Sequence, residues 1–130
     1  MNEQQLKGSY KTIKTMQVVL VASDTDVATG TKVQGDFRVP SNITVSRVGA
    51  YVDTAGATGV MTIDINDGDT SILSTKITID TTEKTSVTAA TPAVISDTKI
   101  AADAIITFDI DGVQTTEAKG LKVWIEYTND

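Results

Sequence analysis

The stretch that most constrains the fold is Gly56 to Asp80, GATGVMTIDINDGDTSILSTKITID. Within it Met61, Ile63 and Ile65 alternate with Thr62, Asp64 and Asn66. That period of two gives a strand one apolar and one polar face. Asp67-Gly68 then supplies a turn, because Gly takes positive φ without steric cost. The apolar run restarts at Ile72 and Leu73, and Ile77 and Ile79 alternate with Lys76, Thr78 and Asp80. The pattern predicts a hairpin of two half-buried strands to which the rest of the chain adds further strands.

Those further strands are read in chain order. Met16 to Ala22, MQVVLVA, is a strand, and Ser23 to Thr31 is a loop of turn formers. Val33 to Val39 alternates, with Val33, Gly35, Phe37 and Val39 on one face, and Pro40 ends it because it cannot donate to a ladder. Ile43 to Asp53 is a long strand or a bent pair, with Val48, Ala50 and Val52 opposite Arg47, Tyr51 and Asp53. After Asp80 comes a polar connector with a weak strand near Ser86 to Thr88. Pro92 to Ile95 reads as an edge strand, and Ser96 to Asp103 holds one helical turn at most. In Ala104 to Asp111, Ile106, Phe108 and Ile110 face the core while Thr107, Asp109 and Asp111 face solvent. Leu121 to Tyr127 closes the fold, with Leu121, Val123, Ile125 and Tyr127 alternating with Lys122, Trp124 and Glu126.

Threonine is the commonest residue and Val and Ile are abundant, and these β-branched types favour a pleated sheet over a helix. About eight short strands with frequent turns predict an all-β, antiparallel β-sandwich. A jelly roll fits two sheets of that size. An immunoglobulin-like sandwich is the alternative, but it would bury its Trp, and Trp124 sits on the polar phase of its strand. The expected core is Met61, Ile63, Ile65, Ile106, Phe108, Ile110, Val123 and Ile125.

The 130 residues read as one β-sandwich domain, 15–130, preceded by an N-terminal arm, 1–14. No apolar run approaches the roughly 18 residues of a spanning helix, so no membrane is expected as a partner. The first residues lack the apolar core of a secretory signal. The net charge is −6 and the pI about 4.5. An acidic body repels phosphate backbones, which argues against nucleic acid. The charge is uneven: in the first fifteen residues Lys7, Lys11 and Lys14 oppose only Glu3, giving +2 and leaving −8 for the rest. Leu6, Tyr10 and Ile13 are the arm's apolar side chains. The arm reads either as a basic connector reaching an acidic neighbour, such as a second copy, or as a short solvated terminus.

The chain has no His and no Cys, which excludes Ser-His-Asp and Cys-His nucleophiles and zinc sites built on thiolate or imidazole. No phosphate-cradling GxxxxGK[ST] segment occurs. Asp64 with Asp109 or Asp111 has the residue types of a glycosidase acid pair, but their hydroxyl-rich neighbours read as a solvated sheet face. Placing Gly68 or Gly112 as the sixth residue of an EF-hand loop puts Ile63 or Thr107 at the first ligand position, so neither fits. Asn42-Ile43-Thr44 matches the glycosylation tripeptide without other signs of a secretory origin. No enzyme activity and no cofactor is expected. Trp124, an outward aromatic, reads as an anchor at a subunit interface or, with Tyr51 and Tyr127, as a sugar-stacking platform.

Several blocks occur in order: GATGVMTIDIN, ILSTK, TID, AATPAVI, FDID and AKGLKV, at Gly56–Asn66, Ile72–Lys76, Thr78–Asp80, Ala89–Ile95, Phe108–Asp111 and Ala118–Val123. Together they resemble a recurrent module of tailed-bacteriophage virion proteins, over roughly Phe37 to Tyr127. The resemblance implies a jelly-roll or sandwich domain of head decoration, head fibre or tail-associated type, located in the virion. The residues that carry it are turn and strand formers, so it brings no functional residue with it. Small size favours a capsid decoration or cement protein, attached through its arm to the major capsid protein or other virion proteins and assembled as a homotrimer or other symmetric oligomer. A tail or neck subunit and a receptor-binding carbohydrate module are the alternatives. The residues expected at an interface are Leu6, Lys7, Tyr10, Lys11, Ile13, Lys14 and Trp124.

Overall fold

The structure is a computed structural model and describes residues 11 to 130. Eleven strands run β1 Lys14–Asp26, β2 Asp36–Arg38, β3 Ile43–Thr54, β4 Met61–Asp67, β5 Thr70–Ser71, β6 Leu73–Thr75, β7 Ile77–Ile79, β8 Val94–Ile95, β9 Lys99–Ile100, β10 Ile105–Gly112 and β11 Lys119–Asn129. The only helix among the described residues is a single 3-10 turn, Ser86–Thr88.

One sheet has the order β1-β11-β3-β9, and the other β2-β10-β4, with β5 and β7 on the far side of β4. Every pairing is antiparallel. Successive strands from β1 to β4 alternate between the sheets, β1 in the first, β2 in the second, β3 in the first and β4 in the second. The chain returns through β9, β10 and β11 in the same alternation. This is the winding of a jelly roll. The strand count exceeds eight because the return arm of the central hairpin is cut into three short pieces and β8 pairs with one of them outside the two sheets. The turn itself is as expected: Gly68 has φ 62°, and Asp67 pairs with Thr70 across it. Ile77 to Ile79 rejoin β4, whereas the chain between leaves the sheet, so that Leu73–Thr75 pair with Val94–Ile95 instead. Pro92 to Ile95 therefore belongs to a separate two-stranded ribbon.

All eight expected core residues are buried, joined by Leu20, Ile72, Ile77, Ile79, Ile100 and Leu121. Phe37 and Phe108 pack with ring centroids 5.8 Å apart. Along β3 the phase changes. Its partners step from Glu126–Arg47 to Tyr127–Val45, leaving Ser46 as an extra residue. That bulge lets Ile43 and Val45 on one side, and Ala50 and Val52 on the other, all reach the core despite their opposite parity.

Other expectations change. The clean strand over Val33 to Val39 is not formed. Lys32, Gln34 and Gly35 take positive φ, and only Asp36–Arg38 pair with β10. The loop expected from Ser23 is strand as far as Asp26, which pairs with Lys119. β1 also takes in Lys14, opposite Tyr127, the last residue assigned to the arm. Ser86 to Thr88 is a 3-10 turn whose cap, Thr85, accepts from the Val87 N–H. Asp64, Asn66 and Thr107 are buried rather than solvated.

Candidate functional site

Two apolar grooves mark the surface, one at each open edge of the first sheet. β3 is covered on its far side at two places. Val45 donates to the Thr98 carbonyl, while Ala50 donates to Ser86 Oγ and Val52 to the Lys84 carbonyl. Between these coverings lies a hollow of about 480 Å³ lined by Arg47, Val48, Val87, Pro92, Val94 and Trp124, among others. Val87 and Val94 are 67% and 50% exposed. Trp124 lies half-buried on the outer face opposite Gly49, and the Arg47 guanidinium sits 5.3 Å from its ring centroid. Tyr51 shares that face, with the Lys122 ammonium 5.7 Å from its ring and its hydroxyl accepting from Gln17 Nε2. Tyr127 is on the opposite, core-facing phase of β11, so the three aromatics do not form one platform.

The second groove lies where β1 and β2, the outer strands of the two sheets among the described residues, face each other without pairing. Two adjoining hollows of about 260 and 200 Å³ share Met16 and Phe37 as walls. Val18, Val33 and Phe108 complete the first, and Val39, Ile43 and Tyr127 line the second. Asp36 is the one charged residue among the described residues that line them. Gln34 Nε2 donates to the Leu20 carbonyl at 3.2 Å and closes one end of the trough. The other end is bounded by Tyr127 and Asn129.

Asn129 also receives the root of the arm. Lys14 Nζ donates to Asn129 Oδ1 at 2.7 Å and Lys11 Nζ to the Asn129 carbonyl at 3.4 Å. Ile13 is 64% exposed. Of the expected interface residues, Leu6, Lys7 and Tyr10 lie outside the described residues. Lys11, Ile13 and Lys14 meet at this corner, and Trp124 lies in the other groove.

The acidic face of the second sheet is knitted internally. Asp64 and Asp109 are direct cross-strand partners on β4 and β10. Asp64 Oδ1 accepts from Ser71 Oγ and from the Ile65 N–H, and Asp109 accepts from Asn66 Nδ2 and the Lys32 N–H. Lys76 Nζ lies 2.7 Å from Asp111 and 3.9 Å from Asp64. Its hydrogen bond to Asp111, with the fields of Asp111, Asp64 and Asp109, raises its pKa above the ordinary lysine value. No cluster of three acidic side chains suited to a metal ion occurs among the described residues. No helix among them is long and apolar enough to cross a membrane.

Two further carboxylates tie strands together. Asp53 on β3 is bonded to Lys122 on β11 and Ser23 on β1, and these bonds, Lys122 first, hold its pKa below the ordinary carboxylate value. Asp130 is lowered chiefly by the Thr44 hydroxyl, then by Lys99 and Lys11.

Comparison of the chain with models of known families, with curated proteins and with solved structures finds no match.

Sequence reading singled out Trp124 and the residues Lys11, Ile13 and Lys14 but neither groove. Arg47, Val87 and Val94 are far apart in the chain, and nothing in the local pattern marks them as neighbours. Met16 and Phe37 sit on ordinary apolar phases, and only the strand order makes both of them edge residues.

Proposed function

We propose that this chain is a non-enzymatic structural subunit of a tailed-bacteriophage virion. It acts as a capsid decoration or cement protein held to its neighbours through the cationic segment that precedes β1. The blocks between Gly56 and Val123 support the virion reading by resemblance. The observation that carries the attachment role is the anchoring of Lys11 and Lys14 on Asn129. It fixes the root of a basic segment at one corner of an otherwise acidic body, beside the edge of β1 that has no strand partner among the described residues. The buried Asp64 and the half-buried Asp109 favour a structural role, because they spend their hydrogen bonds on Ser71, Asn66 and main-chain N–H groups.

Quantitative mass spectrometry of purified virions tests the location. Hundreds of copies per particle support decoration. A few copies move the chain to the tail or neck, and absence rejects the reading. Deleting residues 1–10 should abolish binding to stripped virions while the body keeps its melting temperature.

A carbohydrate-binding module is the second reading, on the strength of Trp124 in an open groove. Arg47 already covers that indole, so a sugar would have to displace it. A glycan array decides between them: tight binding lost in Trp124→Ala favours the module.

A further inference from the structure

The trough between β1 and β2 has the features of a strand-acceptor site. It is apolar, it is flanked by two strands that among the described residues each pair on one side only, and β1 offers to it the edge from Lys14 to Leu20, where Met16 and Val18 line it. Long open edges of this kind recruit added strands. Gln34 spans the two sheets only at one end, through the Leu20 carbonyl.

We infer that the trough receives residues 1–10 of a neighbouring copy, laid as an extra strand beside β1 with Leu6 and Tyr10 turned into the apolar floor. The alternation of the segment fits: Leu6, Gly8 and Tyr10 share one phase, and Lys7, Ser9 and Lys11 the other. Ten extended residues span about 33 Å, longer than the stretch of β1 from Lys14 to Leu20 that edges the trough. Lys7, the one basic side chain of residues 1–10, can meet Asp36, the one charged wall of the trough among the described residues, whereas the Trp124 groove presents Arg47 to it. With Glu3 the side chains of the segment carry no net charge, so this is a local pairing. Geometry selects a neighbour over the same chain. Lys14 pairs with Tyr127, and the Lys11 ammonium reaches Asn129, two residues further along β11. The chain therefore holds to the line of β1 where it leaves the sheet, and would have to reverse to enter its own trough. This deepens the proposed attachment role and rests on it only for the segment being a connector.

The absence of native cysteine allows a direct test. Two full-length variants, tagged Leu6→Cys and untagged Val18→Cys, are mixed and mildly oxidised, with Val94→Cys in the other groove as the comparison acceptor. The expected result is a mixed disulfide between copies with Val18→Cys and none with Val94→Cys. Linkage to Val94→Cys instead, or no linkage to either, overturns the inference. So does linkage confined to single chains in the Leu6→Cys, Val18→Cys double variant. Sedimentation gives an independent reading. The full chain should self-associate and the 1–10 deletion should be monomeric at the same concentration. Asp36→Lys, at an exposed position, should weaken association about fivefold, and a full chain that is itself monomeric overturns the inference. The two proposals fail separately. A chain that docks on stripped virions through residues 1–10 without linking to Val18→Cys rejects the trough alone. A chain that links but is absent from virions rejects the virion reading alone.

Discussion

Trp124 lies across Gly49: a Cβ built on that glycine would come within 2.1 Å of the indole Cζ2. The missing side chain on β3 is what lets the ring of the cross-strand partner lie down on the sheet, where Arg47 then covers it. Gly49→Ala should push the indole off the sheet and red-shift its fluorescence. Overpacking of this kind costs about 1–3 kcal/mol, read by denaturant unfolding. An unchanged emission maximum would mean that the ring does not need the gap.

Phe108 lies in the core, 2% exposed and packed on Phe37 of the neighbouring strand β2. Phe108→Ala should cost about 3–5 kcal/mol. Urea unfolding that shows less than about 1 kcal/mol would contradict this packing.

Lys76 is the cation that faces Asp64, Asp109 and Asp111 on one sheet face. Lys76→Met should destabilise the fold by about 1–3 kcal/mol, because Asp64 is buried and loses its counter-charge. Part of the loss should return in high salt, which screens the exposed members of the cluster. A salt-independent loss would point to packing instead.

Asp53 and Asp130 have pKa values held below the ordinary carboxylate value of 3.8. A carboxylate depressed in the folded state contributes stability that is fully present above the unfolded pKa. That stability is lost as pH falls through the folded pKa. Melting temperature should therefore fall as pH drops below about 4. Asp53→Asn should shrink that fall and lower stability at neutral pH. Lys76 has the opposite sign: its raised pKa gives stability that persists at neutral pH and is lost only at strongly alkaline pH. An acid limb that is identical in Asp53→Asn would show that the Asp53–Lys122 bond carries none of it.

Local pattern alone specifies the pleated all-β class, the tight turn at Gly68 and the inward faces of β4, β10 and β11. A period of two is a local property, and burial of one face enforces it wherever a strand is long enough to alternate. It also isolated Trp124 and the basic arm, since an aromatic on a polar phase and a reversal of charge are both visible in one dimension. Tertiary structure decided the rest. Ser46 flips the phase of β3 because a bulge exists only relative to the register of β11. The run from Val33 fails as a strand because positive φ at Lys32, Gln34 and Gly35 turns the chain out of the ladder. Asp64 and Asn66 are buried on a face that the pattern of β4 marks as wet, where Ser71 and Lys76 from beyond the turn meet Asp64 and Asp109 of β10 meets Asn66. Both grooves likewise depend on which strands end as edges, and strand order is fixed by long-range pairing that no local period encodes.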